Sequence, residues 1–202
     1  LPLPGTAANH PGAARLQSAI PPERPAPPVP GSAGGHGLPN LRPSDTLPAP
    51  RRTGADALLP KGLMPHVYAQ SFLEAFGASM ERPAIFKDVI GERIVVGKEL
   101  FLTARGELKA DKQERGHFMP LLAMALHEPD EIWVRLEWVY AQKKAVVRRR
   151  YIAQFDVEGQ GAPALVVFDR GEDGWSGVTV FQGTSQRAED WRVGVRLYKR
   201  ES

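Results

Sequence analysis

Glu131-Ile132-Trp133-Val134-Arg135-Leu136-Glu137-Trp138 alternates at every second position. Successive side chains of a strand point to opposite faces, so the run predicts a strand with Ile132, Val134, Leu136 and Trp138 on one side and Trp133, Arg135 and Glu137 on the other. Upstream the apolar period is helical. Tyr68, Phe72, Leu73 and Phe76 predict a short amphipathic helix within 67–77, stopped by Gly77. Phe118, Leu121, Leu122 and Ala125 predict a second within 111–127, with a late start or kink at Pro120 and an end at Pro129. Between them, 84–102 reads as two β runs around Ile90-Gly91-Glu92.

Downstream of the opening stretch the period stays at two. Ala145–Phe155, 164–168, 175–182 and 192–198 read as further strands joined by Gly- and Asp-rich loops. The predicted fold is α+β, with helices on one face of an antiparallel sheet of about four or five strands. If the aliphatic sides face the helices, the open face collects Trp133, Arg135, Glu137, Arg148, Arg150, Trp175, Thr179, Phe181, Arg192, Arg196 and Tyr198. Arg149 falls on the Val147/Tyr151 side.

Composition places the domain. Of 19 prolines, 14 lie in residues 1–60, which hold no Phe, Tyr or Trp, while all 16 aromatics fall between Tyr68 and Tyr198. Residues 1–56 therefore read as a disordered Pro/Gly/Ala-rich tether, and 57–202 as the folded unit. A start at Leu1 without Met suggests a fragment of a larger protein. Residues 61–202 hold 21 Lys+Arg against 20 Asp+Glu, so basicity is local and densest at Lys143, Lys144, Arg148, Arg149 and Arg150.

Absences narrow the chemistry. Without cysteine there is no disulfide, thiolate metal site or cysteine nucleophile. No apolar run is long enough to span a bilayer. The chain has no Gly-x-Ser-x-Gly elbow, Walker loop, dinucleotide fingerprint, His-Glu-x-x-His or dense carboxylate cluster, so neither a metal nor another cofactor is expected.

Guanidiniums interleaved with aromatics suit a phosphodiester: Arg forks pair with phosphate oxygens and rings stack on bases. A solvated face of ordinary cross-strand Arg/Glu pairs is the other reading of the same residues. Metal-free RNA cleavage needs a base for the 2′-hydroxyl, an acid for the leaving oxygen and donors around the phosphorane. Glu131 or Glu137 could serve as base, His117 as acid or base, Arg150 and Arg192 as phosphate clamps, and Thr179 as a hydrogen-bond donor. Trp133, Glu137, Arg148, Trp175, Phe181, Arg196 and Tyr198 complete the candidate substrate surface. His66 and His127 carry no comparable signal.

In chain order, 58–63, Phe72-Leu73-Glu74-Ala75-Phe76-Gly77, Glu128-Pro129-Asp130-Glu131-Ile132-Trp133, Arg149-Arg150-Tyr151-Ile152, Gly174-Trp175-Ser176-Gly177-Val178-Thr179-Val180-Phe181 and Arg192-x-Gly194-x-x-x-Tyr198 carry a resemblance. They resemble the C-terminal domain of phage Mu F-like head-morphogenesis (minor capsid) proteins, a nuclease-like module of the barnase, EndoU, colicin and RelE class. The resemblance covers roughly 57–200 and implies helices followed by an antiparallel sheet. It also implies metal-independent ribonuclease chemistry, with transfer RNA as one candidate substrate, and roles for Glu131, Trp133, Arg150, Thr179, Arg192 and His117. Arg196 departs from the aliphatic residue expected before the Leu-Tyr ending.

Two settings follow from the resemblance. One is an RNA-cleaving domain delivered with a phage genome or used as a bacterial toxin, tethered to a larger carrier or portal-proximal protein. It would act in the bacterial cytoplasm, with an immunity protein in the toxin case. The alternative is a non-catalytic module of the virion that binds nucleic acid or a capsid partner through the Arg/aromatic face.

Overall fold

The computed structural model describes residues 43–201 apart from 104, 112, 113, 141, 142, 173 and 184–187, and gives only the backbone at Ser176 and Phe181. It is α+β. Helix α1 (Pro65–Glu74) begins with proline at its first turn, where a missing N–H costs nothing, and buries Tyr68, Ala69, Phe72 and Leu73. Helix α2 (Met119–His127) starts at Met119 and carries Pro120 in its first turn, with a short 3-10 turn at Gly116–Phe118 leading into it. No helix among the described residues is long and apolar enough to cross a membrane.

Among the described residues ten strands follow in chain order: β1 (Arg51–Thr53), β2 (Ala84–Lys87), β3 (Arg93–Val96), β4 (Glu131–Val139), β5 (Lys144–Ala153), β6 (Phe155–Val157), β7 (Gln160–Gly161), β8 (Ala164–Gly171), β9 (Gly174–Gln182) and β10 (Val195–Lys199). Seven form the main sheet in the order β10-β4-β5-β8-β9-β3-β2, and β1-β6-β7 form a small second sheet. The predicted four or five strands are its centre and one edge. The β2–β3 hairpin extends the sheet because β3 pairs in parallel with β9, Ile94 opposite Trp175 and Val95 opposite Ser176, so the sheet is mixed. Its turn closes at Gly91, with φ +85°, while Asp88 Oδ1 accepts the N–H groups of Ile90 and Glu92 at 3.1 and 2.8 Å.

Helix α2 packs across β5, β8 and β9, and the main core joins both helices to Ile132, Tyr151, Ala153, Val166, Phe168 and Trp175. A smaller cluster on the other face holds Leu47, Trp133, Ile152, Leu165, Val167 and Ala188, with Val178 and Trp191 against it. Two irregularities alter the predicted faces. Between Val167 and Phe168 the β8–β9 register slips by one, so Val178 is the extra residue and Trp175 turns into the main core. Between Arg196 and Tyr198 the β10–β4 register also slips, placing Arg196 opposite Trp133 but Tyr198 opposite Ile132, on the helix side. Trp175 and Tyr198, both predicted on the open face, are therefore on the other one.

The predicted aliphatic face is only partly covered. Val147, Val195 and Leu197 are exposed, because the helices reach across the middle of the sheet and not its far rows. The expected domain start at 57 also moves. Residues 43–56, which composition places in the tether, lie on the domain: Leu47 is buried and β1 pairs in parallel with β6. A segment poor in aromatics still docks when a few side chains reach the core and buried charges. Residues 1–42 of the predicted tether lie outside the described residues.

Candidate nucleic-acid interface

The open face is built from registered rows. Arg196, Trp133, Arg150, Val167 and Thr179 form one row across β10, β4, β5, β8 and β9; Arg135, Arg148, Asp169 and Ser176 form the next across β4, β5, β8 and β9. The alternation visible in β4 and β5 places Trp133, Glu137, Arg148 and Arg150 on one face, but Trp133, expected on the open substrate surface, is buried there with Leu47 and Ile152. Two networks of charge occupy this face.

At one end Glu131 has no exposed surface, and its carboxylate accepts four hydrogen bonds. Trp133 Nε1 donates to Oε2 at 2.6 Å, Arg192 Nε to Oε2 and Arg192 Nη2 to Oε1 at 2.8 Å each, and Arg196 Nη1 to Oε1 at 3.1 Å. Arg192 is itself buried at 1% exposure and also bonds Glu189 at 2.9 Å. Burial opposes its charge, but the bonds to Glu131 and Glu189 outweigh this and raise its pKa. Arg192 comes from the turn before β10, which requires Gly194: φ is +108°, and a Cβ there would meet Val134 O at 2.4 Å.

Asp45 closes this network from outside. Its carboxylate accepts Arg196 Nη1 at 2.8 and 2.9 Å, Lys199 Nζ at 2.5 Å and Arg192 Nη2 at 3.0 Å. The Arg196 and Lys199 bonds hold its pKa well below the ordinary carboxylate range. Three cations, Arg192, Arg196 and Lys199, thereby balance three carboxylates, Glu131, Asp45 and Glu189.

Among the described residues the other end is not balanced. Glu137 accepts Arg148 Nη1 at 3.2 Å and Arg150 Nη2 at 3.0 Å, with Arg135 Nε at 3.9 Å, while Arg148 forks onto Asp169 at 2.7 and 3.0 Å. Three guanidiniums share two carboxylates. Burial disfavours the charge on Arg148, but Asp169 and Glu137 more than offset it and raise its pKa. At Arg150 burial prevails: its pKa is lowered, with Arg135 and Arg148 repelling it further and Glu137 compensating only in part. Side chains here remain partly open, at 23% for Glu137 and 14% for Arg150.

The remaining sequence candidates are placed differently. Thr179 lies beyond Val167 in the Arg150 row, its hydroxyl 3.3 Å from Val180 O. His117 is not brought to this face: it is buried in the turn before α2, with Nδ1 2.9 Å from Glu114 O and its ring against Phe118. The Phe181 side chain lies outside what is described. Arg149 points to the helix side, where it bonds Asp88 at 3.3 Å and lies over Trp175 at 4.2 Å, while Tyr151 donates to Asp88 at 2.6 Å. Burial, with the Asp88 bond, raises the Tyr151 pKa. This cluster pins the β2–β3 turn. A cleft of about 540 Å³ beside it, lined by Ile85, Glu92, Arg93, Arg170 and Trp175, is at the opposite edge from the arginine rows.

Asp45, Asp169, Glu189 and Lys199 were missed from the sequence. Asp169 falls just past the predicted 164–168 strand, and Asp45 lies in a stretch whose composition signals only a linker. Among the described residues no three His, Cys, Asp or Glu gather as a metal-binding group.

The domain is thus a strand-rich α+β fold whose open face is lined by guanidiniums. Residues 71–199, more than half the chain, match the model of the phage-Barnase-EndoU-ColicinE5/D-RelE like nuclease2 family. The chain belongs to that family, whose type supports a ribonuclease-like function. Comparison with curated proteins and with solved structures returns no match.

Proposed function

We propose that the chain is a metal-independent endoribonuclease that cleaves by transesterification at the Arg148–Arg150–Glu137 end of the open face. The observation that carries this reading is the charge imbalance there among the described residues, three guanidiniums over two carboxylates, with burial opposing the charge on Arg150. A phosphodiester supplies the missing negative charge. Arg148 and Arg150 hold its non-bridging oxygens, and Thr179 donates a hydrogen bond to the phosphorane. Glu137 takes the 2′-hydroxyl proton as that oxygen attacks phosphorus. The 5′ oxygen leaves with a proton from solvent, giving a 2′,3′-cyclic phosphate and a 5′-hydroxyl end.

In this mechanism Glu131 and Arg192 position Trp133 and β10 rather than react, and His117 stays outside the reaction. Transfer RNA is one candidate substrate. The Pro-rich composition of residues 1–42 supports attachment to a larger carrier, in a phage particle or in a delivered toxin with an immunity protein. A second reading, a non-catalytic virion module that binds nucleic acid or a capsid partner, is favoured by the complete hydrogen-bonding of Glu131.

The test is to incubate the full chain with total cellular RNA in EDTA beside Arg150→Ala, and to map new 5′ ends. Discrete cuts that disappear in the variant support the enzyme. Intact RNA with a folded protein supports the binding module.

A further inference from the structure

Residues 45–49 are held on the domain in an unusual way. Among the described residues none of their backbone groups bonds to another backbone group. Their hydrogen bonds come from four cations of the last stretch of chain: Arg192 to Asp45 O at 2.6 Å and to the Asp45 carboxylate, Arg196 to that carboxylate, Lys199 to it and to Thr46 O at 3.2 Å, and Arg200 to Ala49 O at 3.3 Å. Leu47, between them, is buried among Trp133, Ile152, Leu165 and Val167, with Trp191 alongside. Firm anchoring starts only at Arg51, which bonds buried Asp130 at 2.8 Å and begins β1.

We propose that Arg192, Arg196 and Lys199 form a phosphodiester-binding subsite for single-stranded RNA, occupied in cis by the Asp45 carboxylate, so that residues 43–48 compete with substrate for this face. The inference rests on the nuclease reading above. A carboxylate and a phosphodiester each present two oxygens and one negative charge to a guanidinium fork, so one replaces the other without changing the charge balance of the network. With Asp45 gone, three cations face only Glu131 and Glu189. Arg196 and Lys199 each keep 30% side-chain exposure even with the strap in place, so the subsite is at the surface. Leu47 shares a buried cluster with Trp133, over which Arg196 and Arg192 stand at 5.7 and 6.0 Å from the ring centroid. Its departure opens an aromatic surface beside the cations, the pairing that single-stranded nucleic acid uses. The Arg150 row adjoins Trp133 directly, which links the subsite to the proposed cleavage end.

The experiment measures binding of the full chain to a labelled 2′-O-methyl oligoribonucleotide, which cannot be cleaved by transesterification, across a salt series. Asp45→Asn is expected to tighten binding about tenfold, the size of one charge-assisted contact, and to steepen the salt slope by about 0.7, one additional single-strand phosphate. Leu47→Ala, which loosens the strap and leaves every charge in place, is expected to tighten it by a smaller factor. Arg196→Ala in the Asp45→Asn background should remove the gain. Affinity unchanged or weakened in both strap variants overturns the proposal. If RNA is cleaved in an Arg150-dependent way while the strap variants bind like the parent, the inference fails and the nuclease reading stands. If the strap variants bind more tightly and no variant cleaves, the subsite stands and the nuclease reading fails. No binding by any variant overturns both.

Discussion

The two ends of the open face use the same side chains to opposite effect. Around Glu131, three cations meet three carboxylates, Glu131 and Arg192 are buried, and every lone pair that matters is taken. Around Glu137, three guanidiniums meet two carboxylates among the described residues, and none of the five is fully buried. Arginine at high density is therefore not itself a sign of chemistry. What would distinguish a reacting surface from a clasp is whether its charge is spent internally: at the Glu131 end Asp45 completes the balance, and at the Glu137 end one guanidinium is in excess among the described residues.

The sharpest way to break this contrast is Glu131→Gln. Removing one partner of a buried pair leaves Arg192 without its buried carboxylate and dependent on the more exposed Glu189 and Asp45, at an expected cost of about 3–5 kcal/mol in urea or thermal unfolding. A loss below about 1 kcal/mol would show that the clasp is not structural. Arg150→Ala is expected to lower the cleavage rate about 10²–10³-fold, as for loss of a donor at a developing oxyanion, while leaving a cooperative unfolding transition. An unchanged rate would take Arg150 out of the mechanism. Gly194→Ala should cost about 2 kcal/mol or more from positive φ and the contact with Val134 O, read by the shift in unfolding midpoint.

The smallest effect expected is pH-dependent. Asp45 has a depressed folded pKa, so its stabilisation is present above the ordinary carboxylate range and is lost as pH falls below about 4. The stability difference between the parent and Asp45→Asn should shrink over that window and stay flat above it. A difference that grows on acidification would contradict the assigned ion pairs.

How legible this contrast is in the sequence depends on how local its causes are. The period-two runs of β4 and β5 place Trp133, Glu137, Arg148 and Arg150 on one face, because alternation is a property of neighbouring residues. Trp175 and Tyr198 leave that face through one-residue slips at Val178 and Leu197, and a bulge is set by the partner strand rather than by its own residues. The family resemblance singles out Glu131 and Arg192, but not that they bond each other, since the contact spans 61 positions. Asp45 is less legible still. Its partners lie about 150 residues away, and a Pro-rich context reads as linker whatever its few charged residues touch. His117 reads as an available acid or base, and only packing reveals that its ring is enclosed on the helix side.

The most direct test of the division of labour pairs two variants in one measurement: single-turnover cleavage of an end-labelled RNA in EDTA by Glu131→Gln and Arg150→Ala, at a temperature where both are folded by near-UV circular dichroism. The account expects Glu131→Gln to cleave within a few-fold of the parent, leaving 2′,3′-cyclic phosphate ends, and Arg150→Ala to be slowed about 10²–10³-fold. An Arg150→Ala protein that cleaves normally beside an inactive, folded Glu131→Gln would contradict it and move the chemistry to the buried end.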